Sequence, residues 1–171
     1  MWKSIAAALY LLLTATGCSL DAPAQSPHYA PEFVGIDRWF NSPSLSMAKL
    51  RGSVVLVEFW TYECINCAHV QPHLKDWDQR YRNQGLTVIG VHTPEFDEEY
   101  DANNLRSAIN RADIHYPVAQ DNGYRTWNAY DNSFWPAMYL IDRTGRIVYR
   151  HVGEGDYDAT EARIRELLAA H

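Results

Sequence analysis

VVLVEFWTYECINCAHV (residues 54–70) decides how the rest of the chain is read. Val54, Val55, Leu56 and Val57 form an apolar, largely β-branched run of the kind that suits a central strand covered on both faces. Cys64-Ile65-Asn66-Cys67 follows shortly after, and an amphipathic segment runs on to about Tyr81. A cysteine at a helix start meets unpaired backbone N–H groups and the positive end of the dipole, both of which favour thiolate over thiol. Attack on a disulfide needs a thiolate, and a second cysteine three residues on can resolve the mixed disulfide. Cys64 is therefore the expected nucleophile, and Cys67, one turn later and less exposed, the expected resolving thiol. These residue types at this spacing point to thiol–disulfide exchange.

Downstream, Val70, Leu74, Trp77 and Tyr81 recur at three- and four-residue spacing, which makes one apolar helical face, with Pro72 inside as a kink. Asn83-Gln84-Gly85 stops the helix. LTVIGV (residues 86–91) is a second apolar strand, completing a right-handed parallel strand–helix–strand unit. His92-Thr93-Pro94-Glu95 closes that strand. Residues 96–114 begin acidic and then carry Leu105, Ala108, Ile109 and Ala112 at helical spacing, so a surface helix is expected there. A short strand over 116–119, a short helix or turn over 122–130, and a strand that begins at Pro136 follow. Arg143-Thr144-Gly145 is a hairpin turn into RIVYR (residues 146–150), a partly exposed partner strand. Residues 159–170 form a terminal helix with Ile164, Leu167 and Leu168 facing inward.

Upstream, residues 31–41 contain FVGIDRWF, an expected edge hairpin in which Trp39 packs. Residues 19–30, SLDAPAQSPHYA, lack an apolar period and read as a flexible tether. Residues 1–17 read as a signal peptide, with Lys3, an apolar stretch over 5–13, and the small-residue cleavage site Ala15-Thr16-Gly17-Cys18. Cys18 after Gly17 resembles a bacterial lipobox, whose cysteine is diacylated and becomes the mature N-terminus, although Ala15 stands where that pattern usually has Leu. Ordinary signal-peptidase cleavage, leaving a free cysteine, is the alternative. The apolar stretch is well short of the roughly 20 residues of a membrane span. The expected domains are a lipoprotein signal peptide (1–17), a tether (18–30) and one folded domain (31–171).

Of three cysteines, lipidation of Cys18 leaves one close-spaced pair and none for a structural disulfide framework. Removing residues 1–17 takes one of the 15 basic residues, so the mature charge is 14 − 21 = −7. An acidic surface argues against nucleic acid as a partner.

EFWTYECINC, GVHTPEF and FWPAMYLID resemble motifs of the thioredoxin superfamily, and within it the exported redoxins of TlpA type. The likeness is nearest to the periplasmic thioredoxin-like domain of DipZ proteins and runs from about Pro31 to the C-terminus. Four spacings match: Glu58 lies six residues before the first cysteine, Trp60 four before it, Pro72 five after the second, and Pro136 opens the strand after the insertion. The resemblance implies an α/β fold with a mixed central sheet, helices on both faces, an N-terminal extension and a helical insertion at 96–114. It makes Trp60, at the family tryptophan, and Trp135 with Pro136, at the family cis-proline, the expected substrate contacts, the backbone of Trp135 pairing with an extended substrate strand. Gly-Pro between the cysteines of thioredoxin is Ile65-Asn66 here, and Glu63 brings a negative charge against the thiolate.

Glu58 is expected part-buried under the pair. A charge inside an apolar strand is costly without a use or a partner, and a buried carboxyl of raised pKa can accept or return the proton of Cys67. An ordinary exposed strand residue is the alternative. TlpA-type relatives mostly reduce, so the resemblance implies a reductase of protein disulfides on the periplasmic or extracytoplasmic face, lipid-anchored through Cys18 to a bacterial membrane. DipZ relatives join this domain to a membrane electron-transfer module, and here electrons are expected from a separate membrane thiol donor of DsbD/CcdA type. No cofactor is expected beyond the redox-active Cys64–Cys67 disulfide, and no metal. Other readings stay open. A zinc site would need a second ligand pair, and a copper-handling module of Sco type usually has one more residue between its cysteines. His69 and His73, four apart on one helical face, are ligands or solvated side chains. Thr61-x-x-Cys64 echoes the peroxiredoxins, so a thiol peroxidase is a further alternative. His92 ends the second strand, where parallel-sheet sites usually open, a place for bordering the active face with no role assigned to it.

Overall fold

The structure, a computed structural model, describes residues 28–170. The elements run β1 (Arg38–Phe40), β2 (Val54–Trp60), α1 (Ile65–Tyr81), β3 (Leu86–His92), α2 (Ala102–Arg111), β4 (Val118–Gln120), α3 (Arg125–Ala129), β5 (Ala137–Ile141), β6 (Ile147–Val152) and α4 (Tyr157–Ala169). Single 3-10 turns follow α1 (Arg82–Gln84) and precede α2 (Asp97–Tyr100).

The strands form one mixed sheet in the order β1-β4-β3-β2-β5-β6. β2 is buried along its whole length because it has neighbours on both edges, β3 parallel and β5 antiparallel, and layers on both faces. Side chains alternate across a strand. Val54, Leu56 and Trp60 therefore join Val70, Leu74 and Trp77 of α1, Leu105 and Ile109 of α2 and Ile164 of α4 in one core. Val55, Val57 and Phe59 face the other way, onto Met47, Trp127 of α3 and Tyr130. The three longer helices thus share one face; α3 and the irregular N-terminal segment cover the other. Gly85 ends the turn after α1 at φ 102°, a left-handed conformation that favours glycine.

Several boundaries differ from those expected. The FVGIDRWF segment forms one edge strand, β1, because its partner is the distant β4 and not its own neighbour. His28–Ala30, expected in the tether, belong to the fold: Tyr29 bridges Arg146, and the amide of Ala30 donates to the carbonyl of Gly145 at 2.9 Å. The insertion is a 3-10 turn followed by α2, because Asp101 restarts the chain as a cap, accepting the amides of Asn103 and Asn104 at 2.8 and 3.0 Å. Its apolar positions are buried, so α2 is a core helix on that side. No helix among the described residues is long and apolar enough to cross a membrane. The expected signal peptide, Cys18 and the expected tether up to residue 27 lie outside the described residues.

Candidate active site

The chain leaves the end of β2 at Trp60 and turns at once into α1, which puts Cys64 at the helix N-cap with φ −81° and ψ 113°. Its Sγ accepts the amide of Cys67 at 3.1 Å, so one of the unpaired N–H groups of the first turn points at the sulfur. Cys64 and Cys67 form a disulfide with Cα atoms 5.2 Å apart. Cys67 is buried at 1 % exposure while Cys64 is half-buried, the arrangement expected for an attacking and a resolving sulfur.

Glu58 sits in the middle of β2, opposite Gly90 on one side and Met138 on the other. By alternation it shares a face with Leu56 and Trp60, the face that α1 covers. It is fully buried. Gln71 of α1 donates to its Oε2 at 3.4 Å, and Oε1 has no partner among the described residues. Burial pushes the carboxyl well above the usual range, and the Gln71 contact only partly opposes this. Gln71 in turn accepts the hydroxyl of Tyr116 at 2.6 Å. Sequence reading missed Gln71 and Tyr116, because neither position breaks the pattern around it.

Trp60, expected as a substrate contact, is only 2 % exposed, so its ring supports the site from beneath. A side chain at Gly90 would place its Cβ 2.8 Å from Trp60 Nε1, which is why that strand position is glycine. A cavity of about 210 Å³ between α1 and α2 is lined by Trp60, Thr61, Ala68 and Gln71 among others.

Because Ala137 is opposite Phe59, the residues before it arrive at the same end of the sheet as the Cys64 loop. The Trp135–Pro136 peptide is cis. Trp135 is half-buried, its ring 4.4 Å from that of Trp127, while Phe134 beside it is 59 % exposed. Cys64, Tyr62 and Trp135 pack against the same core cluster. The carbonyl of Pro136 accepts the amide of Gly153 at 2.8 Å, which ties this loop to the end of β6.

His92 ends β3 opposite Trp60 and is fully buried, with both ring nitrogens lacking a partner among the described residues. Burial lowers its pKa to about 4, against a smaller opposing pull from Glu99. Its ring stacks on Tyr62 at 5.5 Å. Glu99, which sequence reading passed over as one acid in a run of three, is the least expected member. It is fully buried and accepts the hydroxyl of Thr61 and the amides of Glu63, Glu95 and Phe96. The Thr61 hydroxyl thus donates to a carboxylate that belongs to a distant turn.

His69 and His73 are engaged separately. His69 pairs with Glu154 at 3.0 Å, and His73 stacks on Tyr157 at 3.6 Å. Among the described residues no group of three or more His, Cys, Asp or Glu side chains is placed to hold a metal ion.

The fold and the pair at the helix cap define a thioredoxin-like domain of the thiol–disulfide oxidoreductase class. The AhpC/TSA family matches residues 28–150, and the chain belongs to that family. It is 46% identical over 150 residues to Protein DipZ of Mycobacterium tuberculosis (strain CDC 1551 / Oshkosh), a match that covers 86% of this chain and 22% of that protein. The chain thus spans about a fifth of the length of the DipZ proteins it matches. It is 26% identical over 139 residues to the thiol-disulfide oxidoreductase YkuV of Bacillus subtilis, covering 81% of this chain and 93% of that one. Among solved structures, a thiol-disulfide isomerase from Corynebacterium glutamicum superposes with a TM-score of 0.73 at 29% identity, over 83% of this chain and 98% of the other.

Proposed function

We propose that the chain is a membrane-tethered, extracytoplasmic reductase of protein disulfides. The observation that carries this reading is the half-buried Cys64 sulfur at the helix cap, bonded to a buried Cys67. In the reduced protein the Cys64 thiolate attacks a substrate disulfide, forms the mixed disulfide and expels one substrate thiolate. Cys67 then loses its proton and attacks the Cys64 sulfur, which releases the second substrate thiolate and restores the Cys64–Cys67 disulfide. Two electrons pass to the substrate, and its two thiolates take up protons. Glu58 is the proposed proton partner of Cys67, since burial pushes its pKa well above the usual carboxylate range and so lets it hold and return a proton. Trp135 and the cis-Pro136 loop form the proposed substrate-strand contact. The electrons come from a separate membrane thiol donor of DsbD/CcdA type, and lipid on Cys18 keeps the domain beside it in the periplasm.

An insulin-reduction assay with dithiothreitol tests the chemistry. The wild type is expected to accelerate precipitation, Cys64→Ser to abolish the effect, and Cys67→Ser to accumulate a mixed disulfide. No acceleration, together with tight copper(I) binding, would decide for a metal-handling module instead. Radiolabelled palmitate should tag the expressed wild type and not Cys18→Ser; equal labelling removes the tether.

A further inference from the structure

Glu99 lies in the 3-10 turn Asp97–Tyr100, more than thirty residues along the chain from the cysteines, yet it is bonded into the turn that carries Cys64. One oxygen accepts the Thr61 hydroxyl and, at 3.1 Å, the amide of Glu63, the residue just before Cys64. The other accepts the amides of Glu95 and, at 3.0 Å, Phe96. Burial works against its charge, but these bonds together outweigh burial and hold the carboxyl below the usual range. A buried carboxylate, with no cation bonded to it among the described residues, is thus fixed against the loop of the nucleophile.

We propose that Glu99 is a positioning residue that sets the redox poise of the pair. Its carboxylate clamps the Thr61 and Glu63 turn, and its charge opposes the helix N-terminus, so that Cys64 does not become a strongly acidic thiol. The surroundings have the matching sign. Tyr62, the residue between Thr61 and Glu63, has its pKa raised first by burial and then by Glu99, Glu63 and Glu98, with only Arg111 opposing. His92, facing from β3, is neutral at physiological pH, and His69 on α1 is paired with Glu154. Stabilising the thiolate is what makes a dithiol reluctant to give up electrons, as in strong oxidants of this chemistry. A fixed negative charge does the reverse and leaves the pair inclined to reduce.

The inference deepens the reductase reading and rests on it for its purpose, but the two fail separately. The test uses Glu99→Gln and Glu99→Asp in the full chain, with the pH profile of Cys64 alkylation and the equilibrium with glutathione at pH 9 as readouts. In that equilibrium two glutathione thiols reduce the Cys64–Cys67 disulfide and leave as glutathione disulfide. Gln keeps the shape without the charge. It should lower the alkylation midpoint by about half to one unit, which raises the thiolate fraction at pH 7 roughly three- to tenfold and favours the reduced pair at pH 9 by a similar factor. Asp keeps the charge and should stay nearer the wild type. A Gln variant with both readouts unmoved, or an Asp variant that moves as far as Gln, overturns the proposal even if both melt early. Should Gln fail to fold, Thr61→Val removes one hydrogen bond and no charge; a full-unit fall in its midpoint would also overturn it. A wild type that oxidises its substrates, yet shows the Gln shift, sinks only the reductase reading.

Discussion

Glu58 and His92 sit on neighbouring strands, neither in an ion pair among the described residues, and pH acts on them in opposite senses. The native pKa of Glu58 lies above its unfolded value of 4.5, so above that pH the native state holds a proton that the unfolded chain has released. Stability from this group therefore falls as pH rises. Glu58→Gln should remove that slope: it should need more urea to unfold than the wild type at pH 8, with little difference near pH 4. His92 has a native pKa of about 4 against 6.5 unfolded, so its contribution is complete above 6.5 and is lost as pH falls towards 4. The loss is on the order of 3 kcal/mol by pH 4, and His92→Phe, which keeps the stack on Tyr62, should abolish it. Between about 4.5 and 6.5 the slopes oppose, so each is read most clearly in the other's variant.

Helix contacts decide which side of the sheet carries the weight of the fold. α4 is held to α1 by Glu161, which accepts Trp77 Nε1 at 3.2 Å, Arg80 Nη1 at 2.8 Å and the Tyr81 hydroxyl at 2.7 Å. The Arg80 and Tyr81 bonds lead in lowering its pKa to about 2. Glu161→Ala should cost about 1–2 kcal/mol at pH 7, a moderate figure because the pair is partly screened by solvent. The folded pKa is depressed, so the wild-type advantage should persist down to about pH 4 and vanish by pH 2, measured as urea midpoints across that range. At this scale the apolar periods of α1, β2 and β3 were legible because each is long and unbroken. The short β1 and the split insertion were not: a three-residue strand has no period, and the Asp101 cap sits where the acidic run conceals it.

For the molecule as a whole, the redox state of the pair should be a stability variable. Closing a loop as short as Cys64–Cys67 stabilises by roughly 2 kcal/mol through the unfolded chain. A reductant is also a protein whose disulfide form is favoured over its dithiol form. The oxidised domain should therefore unfold at higher urea than the same domain in dithiothreitol. The opposite order would mark it as an oxidant.

Cys64, Cys67, Pro72 and Pro136 were legible in the sequence because each is marked by its neighbours in the chain, a strand end, a helix start, a helical period and a strand opening, with the resemblance adding the cis form of Pro136. The parallel unit of β2, α1 and β3 follows from the same local logic. Tertiary structure alone decided the surroundings of the pair. Gln71 and Tyr116 beside Glu58, Trp60 against Gly90, and Glu99 on the amide of Glu63 are contacts between segments far apart in the chain. Periodicity tells which face of an element is buried, but only the packed chain determines what that face meets.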